Sequence, residues 1–75
     1  MPFDGMKLRE LRLRRALTLR ELGVLSGIAY DTIHGIETGK KAPRPSTVRK
    51  LADALGVAPD VFFSDAEGDE EKAAA

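Results

Sequence analysis

The stretch Thr18 to Lys40, TLRELGVLSGIAYDTIHGIETGK, holds two short periodic runs divided by a glycine, and its reading decides the fold. Thr18 opens the S/T-x-x-E pattern TLRE, in which the hydroxyl accepts from the backbone N–H of Glu21 and the carboxylate accepts from that of Thr18. A helix is therefore expected to begin at Leu19, with Leu22 its main inward residue and Leu25 a second. It must stop near Gly27, because a residue without Cβ takes the left-handed conformation at little cost. Ile28, Ile33 and Ile36 then mark a second apolar run, and Gly39 supplies the next stop.

Two short helices joined by a glycine turn make the helix-turn-helix arrangement. Upstream, Leu8 and Leu11 recur at i, i+3 between Met6 and Arg15, with Asp4 or Gly5 placed to cap an amphipathic first helix. Downstream, KKAPRPS (40–46) cannot be helical throughout, since each proline biases its predecessor away from the α region, while Pro45 suits a first helical position. Val48, Leu51, Ala52 and Leu55 follow i, i+3, i+4, i+7 and end at Gly56. Pro59 begins a last short helix whose Val61, Phe62 and Phe63 plug a small core. The expected architecture is all-α, a compact bundle of five short helices. Residues 1–5 form an N-terminal arm and 6–64 the domain. The acidic run 65–75, DAEGDEEKAAA, has too little apolar surface to offset ordering and is expected to be disordered.

Bulk properties narrow the function classes. A chain of 75 residues buries only about 60% of its unfolded surface, which leaves little room for an enzyme cleft. Without cysteine and with one histidine, neither a disulfide framework nor a metal centre is expected, and no cofactor. No apolar run reaches the roughly 20 residues of a bilayer span, so no membrane partner and a cytoplasmic placement are expected. Net charge is zero, but residues 1–59 hold eleven Lys/Arg against six Asp/Glu, and 60–75 hold one Lys against six acids. The zero is a cancellation between a basic body and an acidic end, and the body keeps an electrostatic case for nucleic acid. His34 has no carboxylate or cysteine pattern around it that points to acid–base work. GKKAPRPS lacks the spacing of a nucleotide-phosphate loop.

LRELRLRRALTLRELGVLSGI (8–28), TIHGIETGK (32–40) and RKLADALGVAPDVFF (49–63) resemble, in order and nearly in spacing, the Cro/phage-repressor type of helix-turn-helix DNA-binding domain, also called the xenobiotic-response-element type. The resemblance implies that Gly23 sits where two helices cross closely. It places the second helix of the motif in the major groove of double-stranded DNA. Ala29, Tyr30, Asp31, Thr32 and Gly35 would then face bases, with Asp31 accepting from a cytosine amino group and Gly35 letting the backbone come close. Thr18, Arg20, Thr38, Lys40, Lys41 and Arg44 would face phosphates. Arg12 and Glu37 match a semi-buried ion pair joining the first and third helices.

Three positions depart from the family pattern: Leu19 replaces a common glutamine, Ala29 replaces a Ser/Thr cap, and Gly35 lies inside the reading helix. The function this implies is a sequence-specific transcriptional regulator, a repressor that binds an inverted-repeat operator as a homodimer, with Val57, Val61 and Phe63 as the dimer surface. The alternative is an antitoxin-like or adaptor module, in which DNA binding is secondary and the acidic tail engages a protein partner.

Overall fold

The computed structural model describes residues 2–63. The acidic run 65–75, expected to be disordered, lies outside the described residues. Four α-helices and one 3-10 helix follow in chain order: α1 (Gly5–Arg14), α2 (Leu19–Ser26), α3 (Tyr30–Glu37), α4 (Pro45–Leu55) and η1 (Pro59–Phe63). The expected count of five α-helices is thus corrected to four. Pro59–Phe63 is too short to close an α-helical ladder and takes the tighter i+3 geometry instead, with the Val61 N–H donating to the Ala58 carbonyl at 3.2 Å.

Each helix start and stop has a local cause. The Asp4 carboxylate accepts from the Lys7 N–H at 3.2 Å, and Arg12 and Arg14 lie in the last turn of α1, where the dipole favours cations. Thr18 and Glu21 make the reciprocal capping box of α2, at 3.0 and 2.8 Å. Gly27 and Gly56 close α2 and α4 in the left-handed conformation, at φ 76° and 69°. Pro45 opens α4 at its first turn behind the extended Arg44.

The α1–α2 turn carries a feature without a glycine signal. Ala16 adopts φ 56°, so that its N–H reaches the Leu13 carbonyl at 2.9 Å and the Leu17 N–H reaches that of Arg12 at 3.1 Å. An L-residue in this region brings its Cβ close to the following carbonyl oxygen, at a cost of about 1–2 kcal/mol.

Leu8, Leu22, Ile33, Ile36, Leu51, Leu55 and Phe62 are buried at the centre, and Val48 and Ala52 complete the inward face of α4. Leu25, expected to point inward, is 59% exposed, and Ser26 takes the buried place. Leu22 and Ser26 stand one turn apart on a single face, and the Ser26 hydroxyl accepts from the Ile28 N–H at 3.2 Å, which helps close the turn. A leucine there would fill the space but leave that donor unpaired.

Phe3 and Asp4 of the N-terminal segment contact the core end formed by η1. Phe3 stacks on Phe62 and Phe63 with ring centroids 5.0 and 5.7 Å away, and the Asp4 N–H donates to the Phe62 carbonyl at 2.8 Å. Gly5 follows at a close backbone approach between α1 and α3. A Cβ on Gly5 would collide with the Ile36 carbonyl oxygen and lie 2.9 Å from that of Glu37. Gly23 plays the same part on α2, where a Cβ would stand 2.9 Å from the Ile28 carbonyl oxygen.

Gly5→Ala should lower the unfolding free energy by about 1–3 kcal/mol, since backbone atoms must shift to admit the methyl group. Ala16→Gly should raise it by about 1 kcal/mol by relieving the left-handed alanine. Urea unfolding of both variants checks the pair, and an unchanged midpoint for Gly5→Ala would show that α1 and α3 have room to separate.

Candidate nucleic-acid interface

Glu37 is almost wholly buried, with a side chain only 3% exposed, and Arg12 at 9% is scarcely more open. Burial of either charge alone would be prohibitive, so the two must meet. Arg12 Nε donates to Glu37 Oε2 at 2.7 Å and Nη2 to Oε1 at 3.1 Å, a two-pronged bond from α1 to α3. A third donor, Nη1, reaches the Leu17 carbonyl at 2.8 Å. One guanidinium thereby fastens α1, the α1–α2 turn and the end of α3, and together with the buried Ile33 and Ile36 sets how α3 is rotated about its axis.

That rotation turns Ile33, Ile36 and Glu37 inward. At about 100° per residue, Asp31 and Gly35 stand on the opposite side, with Tyr30 and His34 flanking them. Ala29, Tyr30, Asp31 and His34 are exposed, whereas Thr32 is half-buried at the edge. Ala29 supplies no side-chain hydrogen bond to cap α3.

Gly35 does not present bare backbone. It is buried, and the nearest atoms to a Cβ built on it are Cδ, Cγ and Cε of Lys41, at 2.9, 3.0 and 3.3 Å. Gly35, expected to let the backbone come close, has the aliphatic stem of a lysine from the next loop against it. The Gly35 carbonyl accepts from the N–H groups of Lys40 and Lys41 at 2.8 and 3.1 Å, which folds the loop back against the helix end. No periodicity signals this contact, because it depends on the left-handed turn at Gly39 (φ 80°).

The remaining candidates fall around this face. Arg20 stacks on Tyr30 with its guanidinium carbon 4.5 Å from the ring centroid. Ten residues separate the two, so only the α2–α3 turn brings them together. Thr18 and Thr38 are exposed; the Thr18 oxygen is engaged by the Glu21 N–H, and the Thr38 hydroxyl donates to the His34 carbonyl at 2.9 Å. Thr32, Lys41 and Arg44 line one hollow beside α3. Among the described residues, the ion pairs are Lys7–Glu10, Arg14–Glu10 and Arg12–Glu37, which leaves Arg20, Lys40, Lys41 and Arg44 without an acidic partner. Val57, Val61 and Phe63 are half-buried against the core from the α4 end and η1, apart from the α3 cluster in sequence and with part of each side chain uncovered.

Residues 5–62 match the family model described as a helix-turn-helix domain. The chain belongs to the helix-turn-helix domain family. It is 53% identical over 57 residues to the "uncharacterized HTH-type transcriptional regulator RghRB" of Bacillus subtilis (strain 168), covering 75% of this chain and 40% of that protein. To the "HTH-type transcriptional repressor RghR" of the same organism it is 44% identical over 54 residues, or 71% of this chain and 40% of the relative. The chain thus spans about 40% of the length of these relatives. Among solved structures, the restriction-modification controller protein C.AhdI from Aeromonas hydrophila superposes with a TM-score of 0.77 at 36% identity, over 79% of this chain and 89% of that one. No helix among the described residues is long and apolar enough to cross a membrane.

Arg12→Met or Glu37→Met alone should destabilise by about 3–5 kcal/mol, because each leaves a buried charge of the pair without its partner. Arg12→Met combined with Glu37→Met should cost clearly less than the two single losses together, as no buried charge remains. A double-mutant cycle in urea measures this, and strictly additive losses would mean that the two side chains do not depend on each other.

Proposed function

We propose that this chain is a sequence-specific DNA-binding protein that regulates transcription, a binding protein rather than an enzyme, with α3 in the major groove of duplex DNA. The observation that carries the reading is the meeting of the outward face of α3, bearing Tyr30 and Asp31, with the cations Lys40, Lys41 and Arg44 at its end, which have no acidic partner among the described residues. An α-helix fits the major groove, and cations beside it neutralise phosphates and release counterions. The two Bacillus subtilis relatives, described as a transcriptional regulator and a transcriptional repressor, support the same assignment.

In this reading Lys40, Lys41, Arg44 and Arg20 face phosphates, together with the hydroxyls of Thr18 and Thr38. Ala29, Tyr30, Asp31 and the edge residue Thr32 face bases. Asp31 accepts a hydrogen bond from a cytosine amino group, and the Arg20 stack holds the Tyr30 ring at the entrance of the groove. Two copies on an inverted repeat would set their α3 helices one helical turn apart, about 34–36 Å, and repression would follow from occupancy of the operator. The uncovered parts of Val57, Val61 and Phe63 supply the apolar surface for that homodimer. The acidic run 65–75 is the candidate for engaging a protein partner.

Selection of bound sequences from a random duplex pool tests the proposal. Asp31→Ala should lose preference at one base pair of each half-site. Lys40→Ala should weaken binding to all sequences alike and reduce the salt slope by about one. Binding that does not weaken between low and moderate salt would exclude the phosphate-driven mode and favour a protein-binding role.

A further inference from the structure

The outward centre of α3 is shared by Asp31 and Gly35, one turn apart. Gly35 has no side chain with which to reach a base, so half of that surface would be blank if the helix acted alone. It is not blank, because the Lys41 stem lies across Gly35 through Cγ, Cδ and Cε, all within 3.3 Å of the place a Cβ would take. The ammonium group follows one bond beyond Cε. The loop is held in register for this by the bonds from the Lys40 and Lys41 N–H groups to the Gly35 carbonyl. The Thr38 hydroxyl lies 3.3 Å from the same oxygen.

From this geometry we infer that Lys41 is a specificity-determining residue, supplying from the loop the base-reading group that position 35 of the helix lacks. The inference rests on the DNA-binding reading and moves Lys41 out of the phosphate-facing set. Gly35 is required because any side chain there would displace the lysine stem. The chemistry selected follows from an ammonium group, which donates and cannot accept. Its partner in the major groove is a base edge with adjacent acceptors, and guanine N7 and O6 provide that pair. Asp31 has the complementary preference for an amino donor. The face would thus read one donor edge and one acceptor edge a turn of helix apart.

Asp31 and Lys41 do not pair with each other among the described residues. Each charge therefore remains available to the groove. Lys40 and Arg44 are also exposed cations, but neither is among the three nearest atoms to the open side of Gly35. They remain the phosphate contacts.

Site selection from a random duplex pool with the full chain, Lys41→Met, Gly35→Ala and Lys40→Met tests the inference. Methionine keeps an apolar stem and removes the ammonium. Alanine at position 35 preserves the helix, being the better helix former, but pushes the stem aside. The full chain is expected to select guanine at one position of each half-site. Lys41→Met and Gly35→Ala should both lose that preference, with discrimination against the substituted site falling about five- to tenfold. Preferences elsewhere should stay the same, and Lys40→Met should bind every sequence more weakly by one common factor. If Lys41→Met weakens all sequences uniformly while the selected consensus is unchanged, Lys41 is a phosphate contact and the inference is overturned, with the DNA-binding reading intact. If the full chain selects no sequence at all, both fall.

Discussion

The buried bond between Arg12 and Glu37 is the constraint on which the rest of the structure depends. Ion pairs of this kind contribute little net stability, because desolvation of two charges consumes most of the Coulombic gain. Their effect here is geometric. A planar guanidinium that must satisfy two carboxylate oxygens and the Leu17 carbonyl at once tolerates little rotation of either helix. The buried Ile33 and Ile36 on the same side of α3 oppose the same rotation, so the outward face of a two-turn helix keeps one set of residues toward solvent.

Close backbone approach is the second constraint, and it works with the first. Gly5 admits α1 against the Ile36 and Glu37 carbonyls, and Gly23 admits α2 against the turn that precedes α3. Both contacts bring the ends of α3 near the neighbouring helices, so that a helix without a side-chain cap at Ala29 is held by tertiary packing more than by its own termini. The 3-10 helix then seals the other end of the core through Phe62, on which Phe3 rests. With only about 60 described residues sharing one core, each of these contacts carries a large share of a small total.

A division of labour on the exposed side follows from the same geometry. The outward face of α3 carries an acidic residue and an aromatic one, so in the proposed DNA-binding role the attraction comes from elsewhere, from cations that no acidic side chain among the described residues neutralises. The loop after α3 brings those cations to the helix rather than leaving them on a detached segment, because the Gly35 carbonyl takes two of its N–H groups. Separation of attraction from reading permits the helix face to vary without loss of the electrostatic term.

Much of this was legible in the chain itself. The TLRE capping box, the glycine stops at 27 and 56, Pro45 at a helix start and the Val48–Leu55 periodicity are local signals, since each depends on residues within one or two turns. They determine where helices begin and end and which face of α4 is buried. Local rules missed the outcomes set by neighbours distant in sequence. Leu25 reads as inward by spacing, yet the crossing of α2 selects Ser26. Phe3 reads as part of an arm, yet Phe62 offers it a ring to pack on. Gly35 reads as open backbone, yet a turn four residues later lays Lys41 over it. The sequence by itself determined the helices, their order and the basic loop, because caps, turns and periodicity act over a few residues. Only the tertiary structure decided that Lys41 shares the outward face of α3 with Asp31 and Gly35, because that depends on where the left-handed Gly39 sends the loop.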